Sequence, residues 1–232
     1  MKKQLIILAA VMLAGISHGQ MFAKMFGGSA WTPASLNPVA WYKGDGTATD
    51  SGKNAYNGVW TGTNVYAAGV NGQAFYFDGI SFITLPTNIN STVYTLSAWL
   101  KPSSVAGGSV VGSADANGYR SAFILSAGTI AGVYNTGSGN SANPTTETIS
   151  TNAWLHVAVS HSNASITVYI NGVSKSVGSA IALSAGTPNT AYIAKNPHSI
   201  ANSYFGLADD VLFFSRALTP TEILQIYNWR QP

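Results

Sequence analysis

The chain has 232 residues, enough for one all-β domain with a sizeable core, and is 46% hydrophobic but only 8% charged, against roughly 25% charged for typical soluble domains. Solubility therefore rests on Ser, Thr, Asn and Gly, and a usage that includes 24 Gly and 11 Tyr favours strands and turns over helices. The net charge of +3 comes without any Lys or Arg cluster, which excludes the multiple phosphate contacts of a nucleic-acid partner. The absence of cysteine excludes disulfide staples, thiolate metal ligands and a thiol nucleophile.

Residues 1–19 have a basic start at Lys2 and Lys3, an apolar run from Leu5 to Ile16, and small residues Ser17 and Gly19. This pattern predicts a secretory signal peptide cleaved after Gly19 and a secreted, extracellular product. A retained hydrophobic arm packed against a neighbouring subunit is the alternative. The run is too short for a stable membrane span, which needs roughly 20 residues. With the segment removed, nine basic residues face eight acidic ones. Residues 20–38 read as a Gly- and Pro-containing lead-in that settles on the surface of a single domain, 39–232.

Val39 to Lys43 reads as the first strand, followed by a polar loop. Gln73 to Leu85 reads as two strands around Asp78-Gly79, a dipeptide suited to a tight turn with positive φ. From Val93 to Lys101 the alternation of Leu96, Ala98 and Leu100 with Thr95, Ser97 and Trp99 has the strand period of two. Short runs at 107–113, 119–126 and 128–134 follow at spacings of about 8 to 12 residues, the rhythm of a sandwich. The stretch 152–173 reads as a hairpin pair ending in Asn171-Gly172, the strongest turn dipeptide in the chain, and Thr190 to Lys195 supplies another strand. From Tyr204 a turn carrying Asp209 and Asp210 feeds the apolar run Val211 to Phe214. Thr219, Pro220, Thr221 and Glu222 then form a capping box with proline at the first helical position. A short helix therefore starts at Pro220, and Ile223, Leu224 and Tyr227 are expected to share the face that lies on the domain.

Five of these segments carry a family resemblance that spans about Val39 to Tyr227. They are the Asp50-Ser51-Gly52-x-Asn54 loop ending at Gly58, Phe77-Asp78-Gly79, Ala98 to Pro102, the Trp154/His156 strand with its Tyr169-x-Asn171-Gly172 hairpin, and the Asp209-Asp210-Val211 to Ile223 stretch. In this order they resemble the laminin-G-like, concanavalin-like jelly-roll domains of secreted bacterial and phage proteins. The resemblance implies an all-β, two-sheet antiparallel jelly-roll sandwich with a short C-terminal helix, its last strand close to its first. It also implies a structural calcium ion held by the acid before the final Val-containing strand, matched by Asp209. Asp45 and Asp78 lie in the segments that would complete the site. Loop acids with carbonyl neighbours suit calcium, which takes six to eight oxygens.

Catalysis is disfavoured. Glycoside hydrolysis needs two carboxyls flanking the bond, and after signal removal only Glu147 and Glu222 are glutamates, the latter committed to the capping box. Neither a Gly-x-Ser-x-Gly elbow nor a phosphate-binding loop occurs. Three scattered histidines, His156, His161 and His198, lack zinc-ligand spacing. Candidate ligand contacts are Trp60, Tyr119, Arg120, Tyr134 and His156, aromatics and polar groups able to stack on or bond to sugars, while Trp99 and Trp154 read as core. The expected function is a noncatalytic binding module for a glycan or another cell-surface ligand. The alternative is a structural or adhesive assembly protein, such as a virion decoration or a matrix or filament component, with self-association.

Overall fold

The computed structural model describes residues 31–230 apart from 90, 116–117, 136–139, 146, 181–189 and 198–202; the predicted signal segment and His198 lie outside the described residues. The first sheet contains β1 (Ala40–Tyr42), β3 (Val65–Ala68), β4 (Gln73–Asp78), β6 (Tyr94–Pro102), β11 (Leu155–His161), β12 (Ser165–Ile170), β13 (Val173–Ser179) and β15 (Phe205–Phe214). The second contains β2 (Val59–Thr61), β5 (Phe82–Thr84), β7 (Gly107–Asp115), β8 (Gly118–Ser126), β9 (Thr129–Asn135), β10 (Asn140–Pro144) and β14 (Thr190–Ile193). Their orders are β13-β12-β11-β6-β15-β4-β3, with β1 also on β15, and β10-β9-β8-β7-β14-β5-β2. The named strand pairs are antiparallel, as the jelly-roll expectation requires, and β1 pairs with the final strand through Ala40–Phe213 and Trp41–Leu212.

Alternation along the strands sets the core. Leu96, Ala98 and Leu100 of β6 join Phe75, Phe77, Val157 and Val159 on the inner face of the first sheet, against Ile83, Val111, Phe123 and Ile193 of the second. The central part of the other face of the first sheet is also covered. There Trp41, Ala158, Tyr169, Leu212 and Phe214 pack beneath Leu218, Ile223 and Ile226 of the C-terminal segment. Helix α1 (Pro220–Trp229) begins with the expected capping box, Thr219 accepting from the Glu222 N–H and Glu222 from the Thr219 N–H. Its buried residues are Ile223 and Ile226, whereas Leu224 is 42% exposed. Ile223 therefore faces the sheet as expected, and the correction concerns Leu224, whose place is taken by Ile226, three residues after Ile223 on the same face. Tyr227 stacks on Trp99 at 5.6 Å.

Polar residues on the covered face serve this docking. Leu218 N–H donates to Thr95 Oγ1, which itself donates to the Arg216 carbonyl, and Ser160 Oγ donates to the Leu218 carbonyl. The segment leading into the helix thus meets acceptors and donors where its unpaired backbone would otherwise be buried at a cost.

Two turns came out differently from each other. Asn171-Gly172 closes the β12–β13 hairpin with both residues at positive φ (51° and 76°), as predicted. Asp78-Gly79 also has its glycine at positive φ (87°), yet β4 and β5 belong to different sheets, so this turn is a corner between layers rather than a hairpin.

Candidate functional site

The acid doublet lies within β15, at an irregularity in its pairing with β6 between Asp209 and Leu212. Asp210 adopts φ 46°, and both acids are buried. The expected turn carrying the two acids is thereby corrected: they sit inside the strand Phe205–Phe214, at a break in its register rather than before its start. Asp209 Oδ2 accepts from the Val70 N–H at 2.8 Å, while its buried Oδ1 has no hydrogen-bond partner. Loss of solvation, then the neighbouring Asp210 charge, push the Asp209 carboxyl up to about 8. Asp210 is better served: Trp41 Nε1 donates to its Oδ1 at 2.8 Å and Arg230 Nε to its Oδ2 at 3.0 Å. Burial raises its pKa, against the pull of the Arg230 charge.

Asp45 approaches the same turn from the other side. Its Oδ1 accepts from the Gln73 N–H at 2.9 Å, and the turn is closed by Gly69 N–H donating to the Gly72 carbonyl. A Cβ on Gly69 would stand 2.5 Å from Asp209 Oδ2 and 2.8 Å from the Gln73 backbone, so glycine is what lets the turn reach the carboxylate. Asp78 is elsewhere. It is paired opposite Phe205, four residues along β15 from Asp209, which at ~3.3 Å per residue is ~13 Å away. Its Oδ1 caps its own corner, accepting from the Ile80 and Ser81 N–H groups, which lowers its pKa. Of the three acids expected to share an ion, two meet at the 69–73 turn and Asp78 does not. Among the described residues no group of three or more His, Asp or Glu is placed to hold a metal ion.

Asp50, in the Asp50-Ser51-Gly52 loop, works as a clamp. It accepts from the N–H groups of Trp41, Gly52 and Tyr56. Asn54 donates to the Val39 carbonyl.

The candidate ligand contacts divide. Trp60 is half-buried at the side where edge strands β2 and β3 meet; it packs on Phe75 and Phe77, and its Nε1 donates to Tyr66 Oη at 3.1 Å. It wedges the two sheets together. His156 has no exposed surface: its Nε2 is 2.8 Å from Ser97 Oγ, and its ring packs against both members of the Trp99–Tyr227 stack under α1. Burial alone pulls its pKa down to about 3. The expected place on an open sheet face is therefore corrected, because the C-terminal helix covers that face. Tyr119 and Arg120 lie on β8 and Tyr134 on β9, all in the second sheet; their side chains are outside the described residues.

One group was missed. Phe82 and Tyr192, on the second sheet, are half-exposed, their rings edge to face at 5.6 Å, with Lys195 Nζ 4.1 and 4.4 Å from the two centroids. The signal lay in the pattern: each aromatic adjoins a core residue, Ile83 or Ile193, so period two turns it outward.

Two antiparallel sheets, one of them partly covered by a capped C-terminal helix, make up a jelly-roll sandwich. Residues 77–224 match the concanavalin A-like lectin/glucanases superfamily, of laminin-G type, and the chain belongs to that family. Among solved structures, domain 4 of AbnA, an extracellular arabinanase of Geobacillus stearothermophilus, in complex with arabinotriose, is similar at 26% identity and TM-score 0.70. The match covers 82% of this chain and 98% of that one. The binding domain of Paraclostridial Mosquitocidal Protein 1 matches at 18% identity and TM-score 0.69, with 84% of this chain and 52% of that one covered. The receptor binding domain of a botulinum neurotoxin C/D mosaic serotype matches at 17% and 0.65, covering 86% and 55%. The chain thus spans about half the length of these two toxin domains. Comparison with curated proteins finds no match. Among the described residues no helix is long and apolar enough to cross a membrane.

Proposed function

We propose that this chain is a noncatalytic, secreted module that binds carbohydrate. The observation that carries the reading is the likeness to the arabinanase domain solved with arabinotriose, which runs through 98% of that domain. The disposition of the two glutamates agrees with it. Glu147 pairs with Lys175, and Glu222 is engaged by Arg216 and the helix cap, so neither is a free acid poised across a bond. A glycan-binding screen that includes arabino-oligosaccharides, run beside sedimentation analysis, tests it. A monomer with a saturable sugar hit is the expected result; a polymer that binds no sugar overturns it in favour of assembly. For that second reading the favouring observation is edge strand β13, which exposes Val173 (55%) and Val177 (69%) to solvent and offers a pairing edge.

A structural calcium ion belongs to the same proposal, with Asp209 as its principal ligand and Asp45 beside it. The orphaned Asp209 Oδ1 and the crowding of Asp209 against Asp210 are what a cation would relieve. Bound there, it would neutralise the buried charge and tie β15 to the 69–73 turn. With only two carboxylates at that turn, backbone carbonyls and water would have to make up the count. The melting temperature is expected to rise by several degrees with millimolar calcium over chelator, and Asp209→Asn to abolish the rise; equal melting temperatures in calcium and chelator overturn the assignment.

A further inference from the structure

The outer face of the second sheet carries an aromatic pair with a lysine laid over it. Val59, Thr84, Tyr192 and Gly112 lie abreast across β2, β5, β14 and β7. Val59 and Thr84 are exposed and Tyr192 half-exposed, while the neighbouring Ile83 and Ile193 are fully buried in the core. Tyr192 and Phe82, diagonal neighbours on this face, meet edge to face. Lys195 sits over both rings, and its interactions among the described residues are with these rings. Lys43 makes a similar contact with Trp41, whereas Lys175, Arg216 and Arg230 each pair with a carboxylate.

The position of Lys195 is imposed. Ala194, the residue before it, has φ 67° and no exposed surface, a left-handed conformation that a side chain normally avoids. Hydrogen bonds on both sides hold it there: Ala194 N–H donates to the Val110 carbonyl at 2.7 Å and Tyr204 N–H to the Ala194 carbonyl at 3.1 Å. Surroundings that over-determine this conformation thus deliver a cation onto an aromatic pair. An ammonium lying over ring faces keeps its remaining N–H donors for a partner on the solvent side, and the rings hold it partly desolvated, which strengthens a charge-assisted hydrogen bond.

We propose that Tyr192, Phe82 and Lys195 form a binding site for carboxylate-bearing sugars, that is, for a glycan containing uronic acid units. The apolar face of a pyranose would rest on the aromatic surface, with Thr84 at its edge, and its carboxylate would meet the Lys195 ammonium. The site rests on the carbohydrate-binding reading and narrows it to acidic glycans. It adds no chemical step.

The test is calorimetric titration of the full chain with four probes: an oligogalacturonate, its methyl ester, a neutral arabino-oligosaccharide and polyglutamate. The acid form is expected to bind and to weaken with salt, and its ester to bind roughly tenfold or more weakly, the order of one lost charge-assisted hydrogen bond. Lys195→Gln should match that loss, Lys195→Arg should retain binding, and Tyr192→Ala should abolish it. Thermal melts of each variant separate misfolding from lost contact. An ester as tight as the acid, an unaffected Lys195→Gln variant, or polyglutamate binding as well as the sugar acid overturns the proposal. Binding of the neutral sugar alone overturns this site and leaves the carbohydrate reading standing, whereas no binding by any sugar overturns both.

Discussion

The two outer faces of this sandwich carry similar side chains and treat them oppositely. On the first sheet Trp41, Trp99 and Tyr169 are almost wholly buried under the C-terminal helix, and the polar groups among them bind the covering segment. On the second sheet Phe82 and Tyr192 are only half-buried, with Lys195 laid over them as Lys43 is over Trp41. An aromatic beside a polar residue on a strand is thus no indicator of function in itself. What decides is whether another part of the chain pays for its burial, and here the last dozen described residues do so on one side only.

Aromatic truncation on the covered side should show the largest effect. Trp99 is 2% exposed, stacks on Tyr227 and lies 5.4 Å from the His156 ring. Trp99→Ala is expected to cost about 3–5 kcal/mol, read as a lower urea midpoint. A loss below about 1 kcal/mol would mean that the helix cover contributes little and would erase the contrast.

Next comes the polar tie between helix and sheet. Asp210 is 3% exposed and holds both Trp41 Nε1 and Arg230. Asp210→Ala strands a donor and a half-shielded guanidinium, and the expected cost is about 3 kcal/mol. Asp210→Asn keeps an acceptor for Trp41 and should lose less. Equal losses in the two variants would show that the lost charge pair with Arg230 accounts for the whole cost and that the Trp41 bond adds nothing to the docking.

The covered face should also impose a pH dependence. His156 ordinarily titrates at 6.5 but is held to about 3 in the folded chain. Its contribution is therefore complete above pH 6.5 and is lost as pH falls toward 3, because the unfolded chain takes up a proton that the folded chain refuses. The slope approaches about 1.4 kcal/mol per pH unit. Asp209 acts in the opposite sense: held at about 8 against 3.8, it favours the folded chain below pH 3.8 and loses that advantage as pH rises to 8. Partial cancellation is expected between the two limbs. His156→Gln, which can still bond Ser97 but cannot ionise, should flatten the His limb, so that stability curves of variant and parent converge as pH drops from 7 to 4. Parallel curves would place His156 outside the acid response.

Much of the covered side was legible in the sequence. The Thr219–Glu222 box and Pro220 are local devices whose partners lie within one helical turn, and the period-two runs of β6 and β11 separate core from outer face without knowledge of the rest. Nothing local says what then covers the outer residues. His156 read as a candidate on an open sheet face because the helix that buries it begins 64 residues later in the chain. Asp78-Gly79 read as a hairpin because turn chemistry is the same whether the next strand pairs with the last or crosses to the other sheet. The Asp45–Asp209 approach likewise depends on a turn contributed by a third segment, and Trp60 owes its burial to Tyr66 on the opposite sheet. Tyr192 was accessible in principle, since the Thr190–Ile193 run alternates, but a four-residue strand gives too little period to weigh against loops richer in polar residues.

The smallest predicted change is the one that bears most on function. Tyr192→Ala removes a half-exposed ring, one edge-to-face contact with Phe82 and one cation contact with Lys195. Such terms are worth a few tenths to about 1 kcal/mol each at exposed positions, and the uncovered ring gives back part of that by leaving water. The expected cost is about 1 kcal/mol, a third or less of that for Trp99→Ala. A stability cost as large as that of Trp99→Ala would mean that the ring is a packing element and the second sheet's face is simply structural. A small cost has the opposite force: a ring, a lysine and a left-handed alanine that the fold hardly needs for its stability are arranged for something outside the fold.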